Sequence, residues 1–165
     1  MNGYDESKPH KEGYYPDSKR ESDVVLRKMK NPDLEYFLLT DESPREGFVE
    51  YMDRKGLSYD ANELERIIKE SYDVIMAHKR YYNRPRPAQV NSEIKPAESV
   101  SASTPSYPSG HAYQAYLIAQ HLSKQYPLHY FAFYRIANRT AKARVSVGLH
   151  YPSDNKKAFE LAHSM

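Results

Sequence analysis

The sequence predicts an all-α fold, a single-domain helical bundle. Apolar residues recur at three- and four-residue spacing through most of the chain. Helix-opening residues precede several of these stretches. No segment shows the apolar–polar alternation of a half-buried strand, and no internal repeat is present. The 165 residues, 39% hydrophobic and 28% charged, fit one globular domain large enough to bury a core without cross-links.

Residues 1–22 are polar and rich in Lys, Glu, Tyr and Pro, and read as an irregular N-terminal arm. The helical domain is expected over 23–165, with helical patterning from Val24. Asn31-Pro32-Asp33 reads as an N-cap, a proline at the first helical position and an acid in the first turn. A short helix to about Leu39 should follow. Ser43-Pro44-Arg45-Glu46 has the form of a capping box, and Gly56 of a C-terminal stop. Asp60-Ala61-Asn62-Glu63 opens another helix. Its core stripe is Leu64, Ile68, Ser71 and Ile75, and Lys79 continues that stripe before Pro85 ends the helix.

Residues 84–108 form a long, proline-rich loop with many Ser and Glu, expected as a wall of a site. A helix opens at Ser109, with Ala115, Ile118, Ala119 and Leu122 on one face. Another starts near Leu128, and its stripe of Tyr130, Phe133, Tyr134, Ala137 and Ala141 runs on to Arg144 and Gly148. The last starts near Pro152, with Asp154, Ala158 and Leu161 aligned.

Bulk composition narrows the function. A net charge of +2 gives no global attraction to a polyanion. The absence of cysteine removes disulfides, thiolate metal sites and cysteine nucleophiles. No stretch reaches the roughly 18 apolar residues of a membrane span. Met1-Asn2-Gly3-Tyr4-Asp5-Glu6 lacks the basic start and apolar run of a signal peptide. The expectation is a soluble protein, cytoplasmic as written and periplasmic if a signal had been removed.

Three segments concentrate the chemistry: Lys79 to Pro87, Pro108 to His111, and Arg144 to Asp154. Pro108-Ser109-Gly110-His111 opens a helix, whose free N–H groups and positive dipole end hold anions. Gly110 admits an oxygen close to the backbone. Ser109 either caps the helix or donates to the anion. Alone, the tetrapeptide reads more readily as an ordinary serine cap beside an exposed histidine. Asp154 follows His150 by four residues and can accept its Nδ1 proton, aiming Nε2 outward as a nucleophile or base. Alone, the pair is equally a surface His–Asp contact. Arg86 offers a planar fork to phosphate oxygens and Lys79 a point charge. The basic, tyrosine-bearing stretch around them also has the look of a solvated helix end or a nucleic-acid surface, the latter disfavoured by the low net charge. Lys79 and Arg144, however, occupy helix positions where an apolar residue is expected. Several cations converging on a core-facing site call for an anion, and phosphate is the natural one.

The ordered motifs K-x6-R-P, P-S-G-H and R-x5-H-x3-D resemble the signature of the type 2 phosphatidic acid phosphatase and vanadium haloperoxidase superfamily. The resemblance covers about residues 60–160. Ser106-Tyr107-Pro108-Ser109-Gly110-His111 looks especially like the soluble bacterial class A non-specific acid phosphatases. The resemblance implies a helical bundle with its site at one end. It implies that Lys79, Arg86, Ser109, Gly110 and Arg144 bind phosphate. It gives His150 the role of nucleophile, Asp154 that of its orienting carboxylate, and His111 that of acid and then base. The expected reaction is metal-independent hydrolysis of a small phosphomonoester through phosphohistidine, with no cofactor.

The alternatives are a haloperoxidase that holds vanadate in the same cradle, or a non-catalytic phosphate-ligand binding module. Neither nucleic acid nor a membrane span is expected. The sequence departs from the family at Ala143, where serine is usual, and in a short last helix. Completion of the bundle by the arm or by a second subunit leaves a homo-oligomer open. Tyr81, Tyr82 and Tyr107 are left as a stacking surface for a substrate or as simple packing.

Overall fold

The computed structural model describes Asp5, Ser7, Lys8, Lys11 and residues 13–164. Among these residues every regular element is helical. In chain order they are α1 (Ser18–Lys28), α2 (Leu34–Thr40), α3 (Arg45–Lys55), α4 (Ala61–Tyr82), α5 (Pro87–Val90), α6 (Gly110–Gln125), α7 (Tyr130–Ser146) and α8 (Pro152–His163), with a 3-10 turn at Pro127–His129 before α7.

α6 is the central helix and packs against α7, α8 and α4. Its sequence explains its place. Ala112, Ala115, Ile118, Ala119 and Leu122 are all buried, and the alanines let neighbouring backbones approach closely. Leu64 and Ile75 of α4, Phe133 and Ala137 of α7, and Phe48 and Met52 of α3 complete that core. Two smaller clusters hold the C-terminal end of α7. Tyr36 and Phe37 pack with Ala143, Val147 and Leu149 on one side. Val25, Ile94, Val145 and Tyr151 pack on the other.

Several local expectations need correction. α1 starts at Ser18, inside the segment expected to be irregular. Asp17 caps it by accepting from Arg20 N, and the polar Ser18 and Ser22 are buried because they bond to Arg84 and Asn91. The rest of the arm and the start read for a signal peptide lie largely outside the described residues. The cap of α2 is Asp33, not Asn31, because the Asp33 carboxylate reaches Tyr36 N at 3.2 Å. The Ser43 capping box does not form: Glu46 turns to Arg45 Nε at 3.0 Å instead of to the backbone. α4 stops at Tyr82, ahead of Pro85, because Asn83 takes the left-handed conformation (φ 47°). The loop after it carries the short α5. In α8 Asp154, Ala158 and also Ala162 are buried, and Leu161 packs half-buried against the core.

Asp60 caps α4 as expected, and Gly56 and Gly148 close their helices at positive φ. The bundle thus brings the C-terminal ends of α4 and α7 to the N-terminal ends of α6 and α8. All three motifs lie at this end.

Candidate active site

Lys79 emerges from the core stripe of α4 and is 3% exposed. Its ammonium donates to the Pro105 carbonyl at 2.6 Å. Burial, followed by the nearby Arg86, pushes its pKa well below the ordinary lysine value. Pro87, the first residue of α5, keeps Arg86 itself extended (φ −68°, ψ 158°). The Arg86 guanidinium is spread over the carbonyls of Thr104 (2.9 Å), Leu149 (2.8 Å) and Ser101 (3.0 Å) and the Thr104 hydroxyl. Its pKa falls to about 10, chiefly through burial, so it stays charged at neutral pH.

Ser109 is fully buried and caps α6, accepting from Ala112 N. Gly110 packs next to Ile75 and the Lys79 stem, and an added Cβ there would sit 3.5 Å from Ile75. His111 donates from Nε2 to the Asp41 carbonyl at 2.6 Å. Burial, then Arg144, drives its pKa down to about 3.

His150 follows Leu149 in the tight connection after Gly148 and is 2% exposed. Its Nδ1 lies 2.9 Å from Asp154 Oδ2. A carboxylate only accepts, so Nδ1 carries the proton and Nε2 keeps a lone pair. Arg86 Nη1 sits 3.1 Å from that Nε2. Burial, then Arg86, Lys79 and Arg144, hold the His150 pKa well below the usual histidine value. Both histidines are therefore neutral at pH 7 in the free protein. Burial and the three nearby cations prevail over the neighbouring carboxylates, Asp154 beside His150 and Asp41 beside His111 and Arg144.

Asp154 is fully buried behind His150. Besides His150 it accepts from Tyr151 N (3.0 Å), the Ser106 hydroxyl and Arg84 Nη1 (2.9 Å). Burial pushes its carboxyl up, and Arg84, Ser106 and Tyr151 N pull it back.

A cavity of about 320 Å³ is lined by Lys79, Arg86, Gly110, His111 and His150. Ser101, Thr104 and Val100 of the proline-rich loop form part of its wall, with Ile75, Met76 and Tyr72 of α4 opposite. Ser109, Arg144 and Asp154 do not line it. A larger cleft of about 650 Å³ lies against α1, α7 and α8, but holds none of the motif histidines, Lys79, Arg86 or Asp154. Lys79, Arg86, Gly110, His111 and His150 meet at the smaller cavity.

Arg144 is fully buried, as its helical position required, but it is not free. It donates to Asp41 Oδ1 at 2.7 Å and to the hydroxyls of Ser101 (2.7 Å) and Ser99 (3.2 Å). Its Nε is one of three buried side-chain atoms without a partner among the described residues. Ala143 is buried in the apolar cluster with Tyr36 and Phe37 and does not reach the cavity. Tyr81, Tyr82 and Tyr107 pack on one another at 5.0 and 4.9 Å and do not line the cavity either.

Sequence reasoning missed Arg84 and Asp41. Each sits far along the chain from its partner, and neither falls on a specified motif position. One signal was available: a buried carboxylate has about four acceptor sites. His150 alone could not satisfy Asp154.

A model of the PAP2 superfamily matches residues 68–158, which contain all three motifs. The chain belongs to the PAP2 superfamily. Membership points to phosphoester hydrolysis. Among solved structures, this PAP2 chain is similar to the crystal structure of the first transmembrane PAP2 type phosphatidylglycerolphosphate phosphatase from Bacillus subtilis. The identity is 21%, over 88% of this chain and 76% of that one, with a TM-score of 0.48. No curated protein matches. Among the described residues, no helix is long and apolar enough to cross a membrane.

Proposed function

We propose that this chain is a metal-independent phosphatase that hydrolyses phosphate monoesters through a phosphohistidine on His150. One observation carries the reading: a neutral, oriented imidazole lone pair at the wall of a cavity that two buried cations line. Lys79, Arg86 and the Gly110 N–H take the phosphoryl oxygens, with Ser109 and Arg144 behind them. Arg144, which does not line the cavity, contributes its buried positive charge from behind. These groups supply the charge that stabilises the transferring phosphoryl.

His150 Nε2 attacks phosphorus, and the bond to the leaving oxygen breaks. For this Arg86 Nη1 must move from Nε2 to a phosphate oxygen. Asp154 holds the Nδ1 proton and stabilises the charge that develops on the ring. His111 protonates the leaving oxygen. Water then attacks phosphorus, His111 takes its proton, and the P–N bond breaks. Because Nε2 of His111 is tied to Asp41, Nδ1 is the atom left to carry the transferred proton. His111 is neutral in the free protein, so its proton must arrive with the substrate. A bound anion offsets Arg144 and Lys79, and a phosphate monoester with a second pKa of about 6 is itself protonated in mild acid. This favours an acidic optimum, in keeping with the resemblance to class A acid phosphatases.

The test is p-nitrophenyl phosphate hydrolysis between about pH 4 and 9 in excess EDTA, wild type beside His150→Ala. Turnover that vanishes in the variant is expected. A variant that retains more than about a tenth of wild-type kcat overturns the nucleophile assignment. An EDTA-sensitive wild type overturns metal independence.

A further inference from the structure

Arg84 is fully buried and lies at an unspecified position of the first motif, between Lys79 and Arg86. All five of its N–H donors are engaged. Nη1 donates to Asp154 Oδ1 (2.9 Å) and the Ser153 hydroxyl (2.7 Å). Nη2 donates to Glu21 (2.8 Å) and the Pro16 carbonyl (3.1 Å). Nε donates to the Ser18 hydroxyl at 3.0 Å. The Tyr151 and Tyr15 rings lie 3.7 and 4.4 Å from its guanidinium carbon. Glu21 also accepts from Ser153 N at 2.9 Å, which ties α1 to the first turn of α8.

The charges therefore alternate from α1 inward: Glu21, Arg84, Asp154, and then the His150 ring. We propose that Arg84, braced by Glu21, is a positioning residue that pins the Asp154 carboxylate and through it the tautomer and aim of His150. This rests on the proposed role of His150 as nucleophile.

A fully buried carboxylate without a counter-charge takes up a proton. A protonated Asp154 would donate to His150 Nδ1 and move the imidazole proton to Nε2. The lone pair that faces the cavity would be lost. The charged and titratable groups around Asp154 are His150, Arg84, Lys79 and Arg86, with the Tyr107 and Tyr151 rings. Lys79 and Arg86 line the cavity, so a bound phosphate engages both. Arg84 does not line it and remains committed to Asp154 throughout turnover. Glu21 sets how much of that charge Asp154 feels.

Three variants test this: Arg84→Met, Arg84→Lys and Glu21→Gln. Each is followed by pH-dependent hydrolysis of p-nitrophenyl phosphate. Each is also followed by 15N-histidine NMR, with the His150 signal assigned by its loss in His150→Ala. The NMR reads the tautomer without turnover. An inactive wild type with a Nδ1–H His150 would sink the phosphatase reading and leave this one standing.

Arg84→Met should lower kcat by about 100-fold or more with KM little changed, the signature of lost tautomer control. The acid limb of kcat/KM should move to higher pH, and His150 should shift toward Nε2–H. Arg84→Lys keeps the charge, so its limb should stay with wild type while kcat falls less. Glu21→Gln removes the competing anion, so its limb should move to lower pH. A merely bracing role predicts no displacement of the limb in any variant. Unchanged limbs and an unchanged tautomer overturn the proposal, in Arg84→Met or, if that variant does not fold, in Glu21→Gln.

Discussion

Replacing Lys79 with methionine should lower activity sharply and stabilise the fold. Lys79 carries a buried ammonium beside Arg86 and Arg144. Among the described residues its one hydrogen-bond partner is the Pro105 carbonyl. Exchanging a buried charge for an apolar side chain of similar length is worth from zero to about 4 kcal/mol. The Pro105 carbonyl loses its donor, which costs about 1 kcal/mol. The net gain is about 1–2 kcal/mol, or about 2–8 °C in Tm for a chain of this size. The sign follows from linkage. The folded-state lysine pKa is depressed, so the unfolded chain binds the proton more tightly. The penalty in wild type is fully present below the folded pKa and disappears as pH rises past the ordinary value of 10.5. The advantage of Lys79→Met should therefore be largest below the folded pKa and shrink toward pH 10.5. Inorganic phosphate should narrow it as well, by stabilising wild type more than the variant. kcat/KM should fall by about 100- to 1,000-fold. Urea melts at two pH values, with and without phosphate, read the stability terms. A variant that is less stable by more than about 1 kcal/mol, equally at both pH values, would falsify the view of Lys79 as an unpaired cation held for an anion.

Two further substitutions probe the frame around the site. Asp41→Ala strips Arg144 of its carboxylate and should lower stability by about 2 kcal/mol, discounted because the Asp41 side chain is 20% exposed. Saturating phosphate should recover part of that loss in a thermal melt, and a neutral effect would show that the pair is not stabilising. Gly148→Ala combines a φ of 84° with a Cβ 3.0 Å from the Met29 sulfur and 3.1 Å from Ile94. It should cost about 2 kcal/mol by urea titration and lower kcat by displacing His150. Wild-type kcat in that variant would show that the turn does not aim the ring.

The helices were legible because their signals are local. The stripe through Leu64, Ser71, Ile75 and Lys79 is a property of one segment, and so is the cap at Asp60. The convergence of Lys79, Arg86, His111 and His150 was legible from ordered motifs combined with periodicity. What escaped is long-range. Arg84 bonds to Glu21 across 63 residues and Arg144 to Asp41 across 103. A short acidic linker or a helix-forming arm carries no mark of the cation it will meet. The caps at Asn31 and Ser43 were misread by a residue or two because a nearby side chain offered an alternative bond: Asp33 reaches Tyr36 N, and Glu46 accepts from the Arg45 side chain.

The way Lys79 and Arg86 are held has a consequence for how this protein can change. Most of their anchors are main-chain carbonyls: Pro105, Thr104, Ser101 and Leu149. Every amino acid brings a carbonyl. The side chains of the loop can thus drift, reshaping the wall that meets the leaving group, while the scaffold under the two cations stays the same. Diversification of what the cavity accepts is uncoupled from preservation of what it does.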